Sequence, residues 1–231
     1  MKNALITGAS RGLGLALARQ LAKNGWGLII DARGIKSLEQ AQSELSRLTK
    51  VTAIPGDITT KSHRKKLALA AGQLGGIDAL VNNASYLGPS PQPALLDYPL
   101  DVLEKVYLTN VITPLAVIQT LHAALRPKAC IINVTSDAGV EAYGGWGGYG
   151  SSKAALEHLS AILANENPAL RIYWVDPGDM RTQMLQEAFP DEDVSDRPLP
   201  EESVPGLISL IEDQKPSGRY RAQELVKALG R

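Results

Sequence analysis

A chain of 231 residues, 44% hydrophobic and with a formal net charge of zero, can bury a large core as one α/β domain and offers no global electrostatic case for nucleic acid or an anionic membrane. The single Cys130 excludes an internal disulfide framework and points to a reducing compartment. With Met1–Asn3 leading directly into a strand-like run and no apolar stretch near the ~20 residues of a membrane span, a cytoplasmic protein is expected.

Asn3–Ile6 reads as a short buried strand. It runs through Thr7, Gly8, Ala9, Ser10, Arg11, Gly12, Leu13 and Gly14 into a helix with Leu13, Leu17 and Leu21 at four-residue spacing, closed by Asn24-Gly25. Strand, glycine turn and helix present backbone N–H groups and a helix N-terminus to a dinucleotide pyrophosphate. In that role Gly8 permits the tight turn, Gly12 lets the phosphates approach, and Gly14 lets the helix pack on the strand. A plain strand–helix turn is the competing reading. Gly27–Ile30 is a second strand, ending in Asp31, Ala32 and Arg33. Here a βαβ site meets the adenosine ribose, where an acid binds the 2′-hydroxyl and an arginine accommodates a 2′-phosphate. Alternation sets Asp31 and Ala32 on opposite sides. Counting from the glycine turn places Ala32 at the ribose, with Arg33 and Arg11 available for a phosphate, and so favours NADP(H). Asp31 keeps NAD(H) as the alternative, and either arginine can also be an ordinary solvated charge.

The alternation of helix and strand continues. Ser37–Leu48 has an amphipathic pattern, Val51–Ile54 a strand pattern, and Gly56, Asp57, Ile58 and Thr59 form a strand-end turn. Lys61–Leu74 is expected to be helical; its cluster of Lys61, His63, Arg64, Lys65 and Lys66 reads as a solvated face, because no aromatics interleave it. Ile77–Val81 is a strand ending in Asn82, Asn83, Ala84 and Ser85, which suits a ligand-side loop or a plain turn. Gly88–Pro93 is irregular. Asp101–Leu125 is expected as one long helix on the stripe Val102, Val106, Val117, Leu121 and Leu125. Asn110 sits inside it as a polar residue among apolar ones, which suggests a buried polar role. Ala129–Thr135 is a fifth strand that delivers Ser136 at its end.

The glycine-rich run 143–148 leads into Tyr149-Gly150-Ser151-Ser152-Lys153. At helical spacing Tyr149 and Lys153 share a face, one turn apart, and Leu156, Leu159, Ile162 and Leu163 continue a stripe. Two charges ~4 Å apart at an effective dielectric of ~20 interact by roughly 4 kcal/mol, or about three pKa units. One lysine is therefore expected to pull the phenol toward neutral pH and make it a general acid or base. A surface Tyr and Lys at helical spacing is the ordinary alternative. Trp146 is placed either to stack on a flat substrate or to pack on a lid. The lid lies at 180–203: a short helix over Thr182–Phe189, an acidic loop over Pro190–Asp196, and a proline-interrupted stretch before a packed helix over Ser203–Glu212. The histidines His63, His122 and His158 show no metal spacing.

Together these pieces resemble the short-chain dehydrogenase/reductase family. The likeness is carried by Thr7–Gly14 (TGxxxGxG), Asp57, Asn82-Asn83-Ala84, Asn110, Ser136, Tyr149-x-x-x-Lys153, and Pro177-Gly178 followed by Thr182. The resemblance implies a single doubly wound Rossmann domain over 1–231, with a mostly parallel seven-stranded sheet of order 3-2-1-4-5-6-7. It implies NADP(H)-dependent reduction of a carbonyl or oxidation of the alcohol. Tyr149 would be the acid/base and Ser136 would polarise the carbonyl. Lys153 would lower the Tyr149 pKa and bind the nicotinamide ribose, and Asn110 would hold a relay water. The implied cofactor contacts are Gly8, Ser10, Arg11, Gly12, Leu13, Gly14, Arg33, Asp57, Ile58, Asn83, Ala84, Tyr149, Lys153, Pro177, Gly178 and Thr182. Within that set Asp57 would meet the adenine amine, Asn83 the adenosine side and Thr182 the carboxamide. A homodimer or homotetramer through helices 101–125 and 149–165 is likewise implied.

Three positions depart from the family pattern. Ser85 stands where NNAG is common, Asp176 where Asn or Ser precedes the Pro-Gly, and the end of the chain at 217–222 differs from the usual VDGG-like ending, which puts the tetramer contacts in doubt. A small-molecule carbonyl or alcohol is the expected partner. An NAD-linked alcohol dehydrogenase and a non-catalytic dinucleotide-binding regulator are the alternatives; the regulator is disfavoured because Asn110, Ser136, Tyr149 and Lys153 are all intact.

Overall fold

A computed structural model describes residues 1–230. Seven strands, β1 (Asn3–Ile6), β2 (Gly27–Ala32), β3 (Val51–Pro55), β4 (Ile77–Asn82), β5 (Leu125–Val134), β6 (Arg171–Asp176) and β7 (Gly218–Arg221), form one sheet in the order β3-β2-β1-β4-β5-β6-β7. Every pairing is parallel. Such a sheet is covered on both faces, which is why β1 and β2 are buried along their whole length and carry the apolar runs Ala4–Ile6 and Leu28–Ile30. The covering helices are α1 (Gly12–Lys23), α2 (Ile35–Leu45), α3 (Lys61–Gln73), α4 (Leu100–Tyr107), α5 (Thr113–Leu121), α6 (Gly147–Glu166), α7 (Gln183–Ala188), α8 (Pro200–Glu212) and α9 (Ala222–Leu229).

Strand alternation splits the core in two. Ile6, Ile30, Val81 and Ile132 face α1, α2 and α8 through Leu17, Leu21, Leu38, Leu45 and Leu207. Leu5, Ile29, Leu80 and Ile131 face α3 and α5 through Leu67, Val117, Ile118 and Leu121. Each such side chain contributes roughly 1.5–3 kcal/mol when fully buried. Cys130 lies inside this core, where burial pushes its thiol up to about 12.

The expected long helix 101–125 is not one helix. It runs as α4, a π-helical turn over Leu108–Ile112 with Asn110 at its centre, α5, and a 3₁₀ turn over His122–Ala124; Leu125 already belongs to β5. Pro114 is the physical reason. It has no N–H to give the Asn110 carbonyl four residues earlier, and its ring would clash there. The stripe of α6 also differs from expectation: Tyr149, Ser152, Lys153, Leu156 and Ser160 are buried, whereas Ile162 is 43% exposed. This helix turns a largely polar face inward. The last strand of the expected seven-stranded sheet is β7, parallel to β6, with Arg219 opposite Trp174 and Arg221 opposite Asp176.

Candidate active site

The strand order reverses between β1 and β4, and at such a switch point the loops after neighbouring strands part to leave a crevice. Here it is a cleft of about 1460 Å³. Of the residues that the sequence assigns to cofactor and catalysis, all border this cleft except Gly14 and Asn110.

At one end lies the glycine turn. Gly8 and Gly12 both have positive φ, at 66° and 54°, and a Cβ on Gly8 would stand 3.0 Å from the Ala84 Cα. Gly14 packs instead of lining: a Cβ there would come within 2.7 Å of the Gly8 carbonyl oxygen. Asn83 braces the turn, since its Nδ2 donates to the carbonyls of Thr7 (2.9 Å) and Gly8 (3.1 Å). Its amide N–H groups are thus committed to the protein.

Asp31 is committed in the same way. One oxygen accepts the Gly8 N–H at 2.9 Å and the other meets His63 Nε2 at 2.9 Å, with both side chains buried. This removes the basis for reading Asp31 as a free ribose acid. It also corrects the basic cluster on α3, where only Lys61, Lys65 and Lys66 are solvated. His63 is buried, and Arg64 donates to the carbonyls of Ile58 and Thr59.

Around this turn the chain fits a dinucleotide. Helix α1 starts at Gly12 with Arg11 at its N-cap and no side chain accepting from its first N–H groups, so those donors point to the cleft unclaimed by a cap. Arg11 and Arg33 are exposed at the rim beside the buried Ala32. Asp57 accepts from the Thr59 N–H and hydroxyl; burial pulls its carboxyl up, but these bonds with Arg33 and His63 outweigh that and hold it below the ordinary range.

At the other end Tyr149 and Lys153 stand one turn apart on α6. The Lys153 Nζ lies 5.3 Å from the Tyr149 ring centroid and donates to the Val134 carbonyl at 2.8 Å. Burial pulls Lys153 down to about 8. The phenol moves opposite to the expectation. Burial pushes Tyr149 well above the ordinary tyrosine range, the hydrogen bond with Ser85 pulls the other way, and the charges of Asp176 and Asp137 add to the rise. Desolvation wins because the phenol is buried away from water. Tyr149 is therefore held as a protonated acid. Ser136 caps the short turn over Asp137–Gly139; its Oγ donates to Asp137 (2.9 Å) and accepts from the Ala138 N–H (3.2 Å).

Asn110 stands behind the wall. Its Oδ1 accepts from the Ser85 hydroxyl (3.0 Å) and the Tyr86 N–H (2.8 Å), while its Nδ2 donates to the Tyr86 carbonyl (2.9 Å) and Ser152 Oγ (3.0 Å). With four partners supplied by the protein, the side chain is filled. What it positions is Ser85, a residue that reads in the sequence only as a departure from NNAG. Asp137 was also missed; its sole signal was a carboxylate next to Ser136.

Residues of the 180–203 segment border both ends of the cleft. Thr182 caps α7 by accepting from the Leu185 N–H, and its methyl lies 3.6 Å from where a Gly12 Cβ would be. Arg11 bonds Gln183, and the Ser90 hydroxyl donates to the Glu187 carbonyl at 2.6 Å. Trp146 packs on the lid, 5.6 Å from Phe189 and edge-on to Tyr149 at 5.8 Å. The acidic loop is solvated, with Asp193 bonding Ser195 and Asp196 pairing Arg197.

A doubly wound dinucleotide fold whose cleft joins a glycine turn to a half-buried Ser136 and a buried Tyr149–Lys153 pair defines a class of nicotinamide oxidoreductase scaffold. The chain belongs to the short chain dehydrogenase family, which it matches over residues 2–193. It is 36% identical over 198 residues to the rhamnolipids biosynthesis 3-oxoacyl-[acyl-carrier-protein] reductase of Pseudomonas aeruginosa, across 81% of this chain and 76% of that one. Among solved structures, an oxidoreductase of E. coli, yciK, superposes with a TM-score of 0.89 at 27% identity, covering 96% of this chain and 95% of that one. A P. aeruginosa RhlG/NADP active-site complex superposes at 0.85 and 31% identity, covering 95% and 94%.

Proposed function

We propose that the protein reduces a small-molecule carbonyl to the alcohol, or runs the reverse, with NADP(H) as cofactor and Tyr149 as the general acid and base. The observation that carries this reading is the placing of Ser136, Tyr149 and Lys153 on the cleft that the glycine turn closes at its far end. When bound, NADP(H) supplies or accepts the hydride. The first-turn N–H groups of α1 with Ser10 and Leu13 hold the pyrophosphate, and Arg33 and Arg11 take the 2′-phosphate. Asp57, Ile58 and Ala84 border the adenosine; Pro177, Gly178 and Thr182 hold the carboxamide. The NADP-bound P. aeruginosa neighbour and the engaged state of Asp31 favour NADP(H) over NAD(H).

In reduction the phenol gives its proton to the carbonyl oxygen, and the buried Lys153 ammonium stabilises the phenolate left behind. Ser136 turns its hydroxyl from Asp137 to the same oxygen and polarises it. Asn110 acts through Ser85 and Tyr86, which it fixes against this wall. The relative named as a 3-oxoacyl-[acyl-carrier-protein] reductase supports a ketone as the reacting group. A homodimer fits the same reading, because Leu108, Ile112 and Ile162 are exposed (40%, 56% and 43%) on the segments 101–125 and 149–165; sedimentation measures it.

The test is a panel of ketones and aldehydes with NADPH and with NADH, followed by loss of reduced-nicotinamide absorbance. Tyr149→Phe is expected to lower turnover about 10²–10⁴-fold while NADPH binding persists. Undiminished turnover would remove Tyr149 from the proton-donor role. NADPH binding without turnover on any carbonyl would favour a regulatory dinucleotide binder.

A further inference from the structure

Arg219 lies beyond the 2–193 span shared with the family and on a strand that the usual motifs do not include. Yet its guanidinium reaches the ends of three elements that build the site. Its Nε donates to both oxygens of Glu157 at 3.1 Å. Its Nη2 donates to the Ser136 carbonyl at 3.3 Å, and the same nitrogen stands 3.7 Å from Asp176 Oδ2. Each partner has a second tie to the site. Glu157 sits one helical turn beyond Lys153 on α6 and also accepts from the Thr135 hydroxyl at 2.8 Å, next to Ser136. Asp176 accepts the Gly178 N–H at 2.9 Å and so shapes the turn after β6. The cluster is largely withdrawn from solvent, with side-chain exposures of 23% for Arg219, 13% for Glu157 and 6% for Asp176.

We propose that Arg219 is a positioning residue for the reaction: from the last strand it holds the backbone of Ser136 and offsets the Glu157 carboxylate that faces Lys153. The inference rests on the carbonyl-reduction reading above. Ser136 must present its hydroxyl at a fixed point, and a donor on its own carbonyl restrains that backbone. Glu157 is the charge that opposes the effect of burial on Lys153, and Arg219 is the cation that neutralises it. The other ionisable groups facing this pair are Tyr149 on α6, Asp137 after β5, Asp176 on β6 and Arg221 on β7. Helix α4 turns Asp101, Glu104 and Lys105 to solvent.

Two substitutions should then move Lys153 in opposite senses. Arg219→Ala leaves the Glu157 carboxylate unneutralised, which raises the ammonium's pKa. Glu157→Gln removes that carboxylate, which lowers it. The experiment compares wild type, Arg219→Ala, Arg219→Lys and Glu157→Gln by kcat against pH, by NADPH affinity, and by the pH midpoint of Lys153 carbamylation with cyanate, read by peptide mass spectrometry. Arg219→Ala is expected to lower kcat by about tenfold or more with NADPH affinity nearly kept, and Arg219→Lys to restore part of it. Both the alkaline limb and the labelling midpoint should shift up in Arg219→Ala and down in Glu157→Gln, by about half a pH unit or more. Unmoved midpoints in both variants, or a kcat loss matched by equal loss of NADPH affinity and not relieved by lysine, would overturn the proposal in favour of plain fold support. If wild type turns over no carbonyl, the reduction reading fails by itself, and the labelling midpoints still decide whether Arg219 sets the charge around Lys153.

Discussion

The two ends of the cleft are built by different means. The glycine-turn end is made of backbone: positive-φ glycines, uncapped helix N–H groups, and side chains such as Asn83 and Asp31 that hold the backbone in place. The Tyr149 end is made of buried side chains, tied by Asn110, Ser85, Ser152, Glu157 and Arg219. A backbone site can be opened to solvent at little cost to the fold, since its ligand-facing groups are N–H donors that water also satisfies. A side-chain network has no such freedom, because each lost partner strands another buried polar group. Substitutions that strand a buried partner at the Tyr149 end should therefore cost stability as well as turnover, removal of the buried Lys153 charge being the exception, whereas substitutions at the rim of the glycine-turn end should cost cofactor affinity alone.

The sharpest way to break this contrast is Asn110→Ala. It strands the Tyr86 N–H and carbonyl, and the Ser85 and Ser152 hydroxyls lose a partner, so a loss of about 3–5 kcal/mol in urea unfolding is expected, at 1–3 kcal/mol per stranded group. A loss below ~1 kcal/mol would mean the network relaxes as easily as a surface.

Lys153→Met comes next. The wild-type lysine sits near 8 in the fold against an ordinary 10.5, so below about 8 the fold carries the full penalty of burying a charge. The unfolded chain binds more protons between these values, and stability rises with pH across that window. The whole effect is about 3 kcal/mol. The methionine variant should be more stable than wild type below pH 8 and lose that advantage by about 10.5 in melts taken across pH.

The smallest effect belongs to the opposite end. Arg33→Ala should weaken NADPH relative to NADH by about 1.5–3 kcal/mol and leave the melting temperature unchanged. Equal weakening of both cofactors would take the 2′-phosphate away from Arg33.

The glycine-turn end was the more legible in sequence, because backbone sites depend on residue types with local meaning. Gly8, Gly12 and Gly14 announce a turn and a close approach wherever they follow an apolar run. The same holds for the strand order, once the run of strands and helices is matched to its family. The Tyr149–Lys153 spacing was visible for a similar reason, since four residues on a helix always share a face. Pro114 did carry the break at Asn110 in plain view, as a ring that no unbroken α-helix accepts, but the apolar stripe around it masked the signal.

From sequence alone came the βαβ order, the glycine turn, the phenol–ammonium pair and the arginines at the rim of the cleft, all of them features set by spacing along the chain. Tertiary structure alone decided which polar groups were engaged inside the fold: Asp31 with His63 and Gly8, Asn110 with Ser85 and Ser152, and Lys153 with Val134. It alone brought Arg219 from the last strand to Ser136 and Glu157. The sign of the Tyr149 shift was beyond the sequence for the same reason. A pKa answers to how much water surrounds the group, and burial is a property of the packed chain rather than of the interval between two residues.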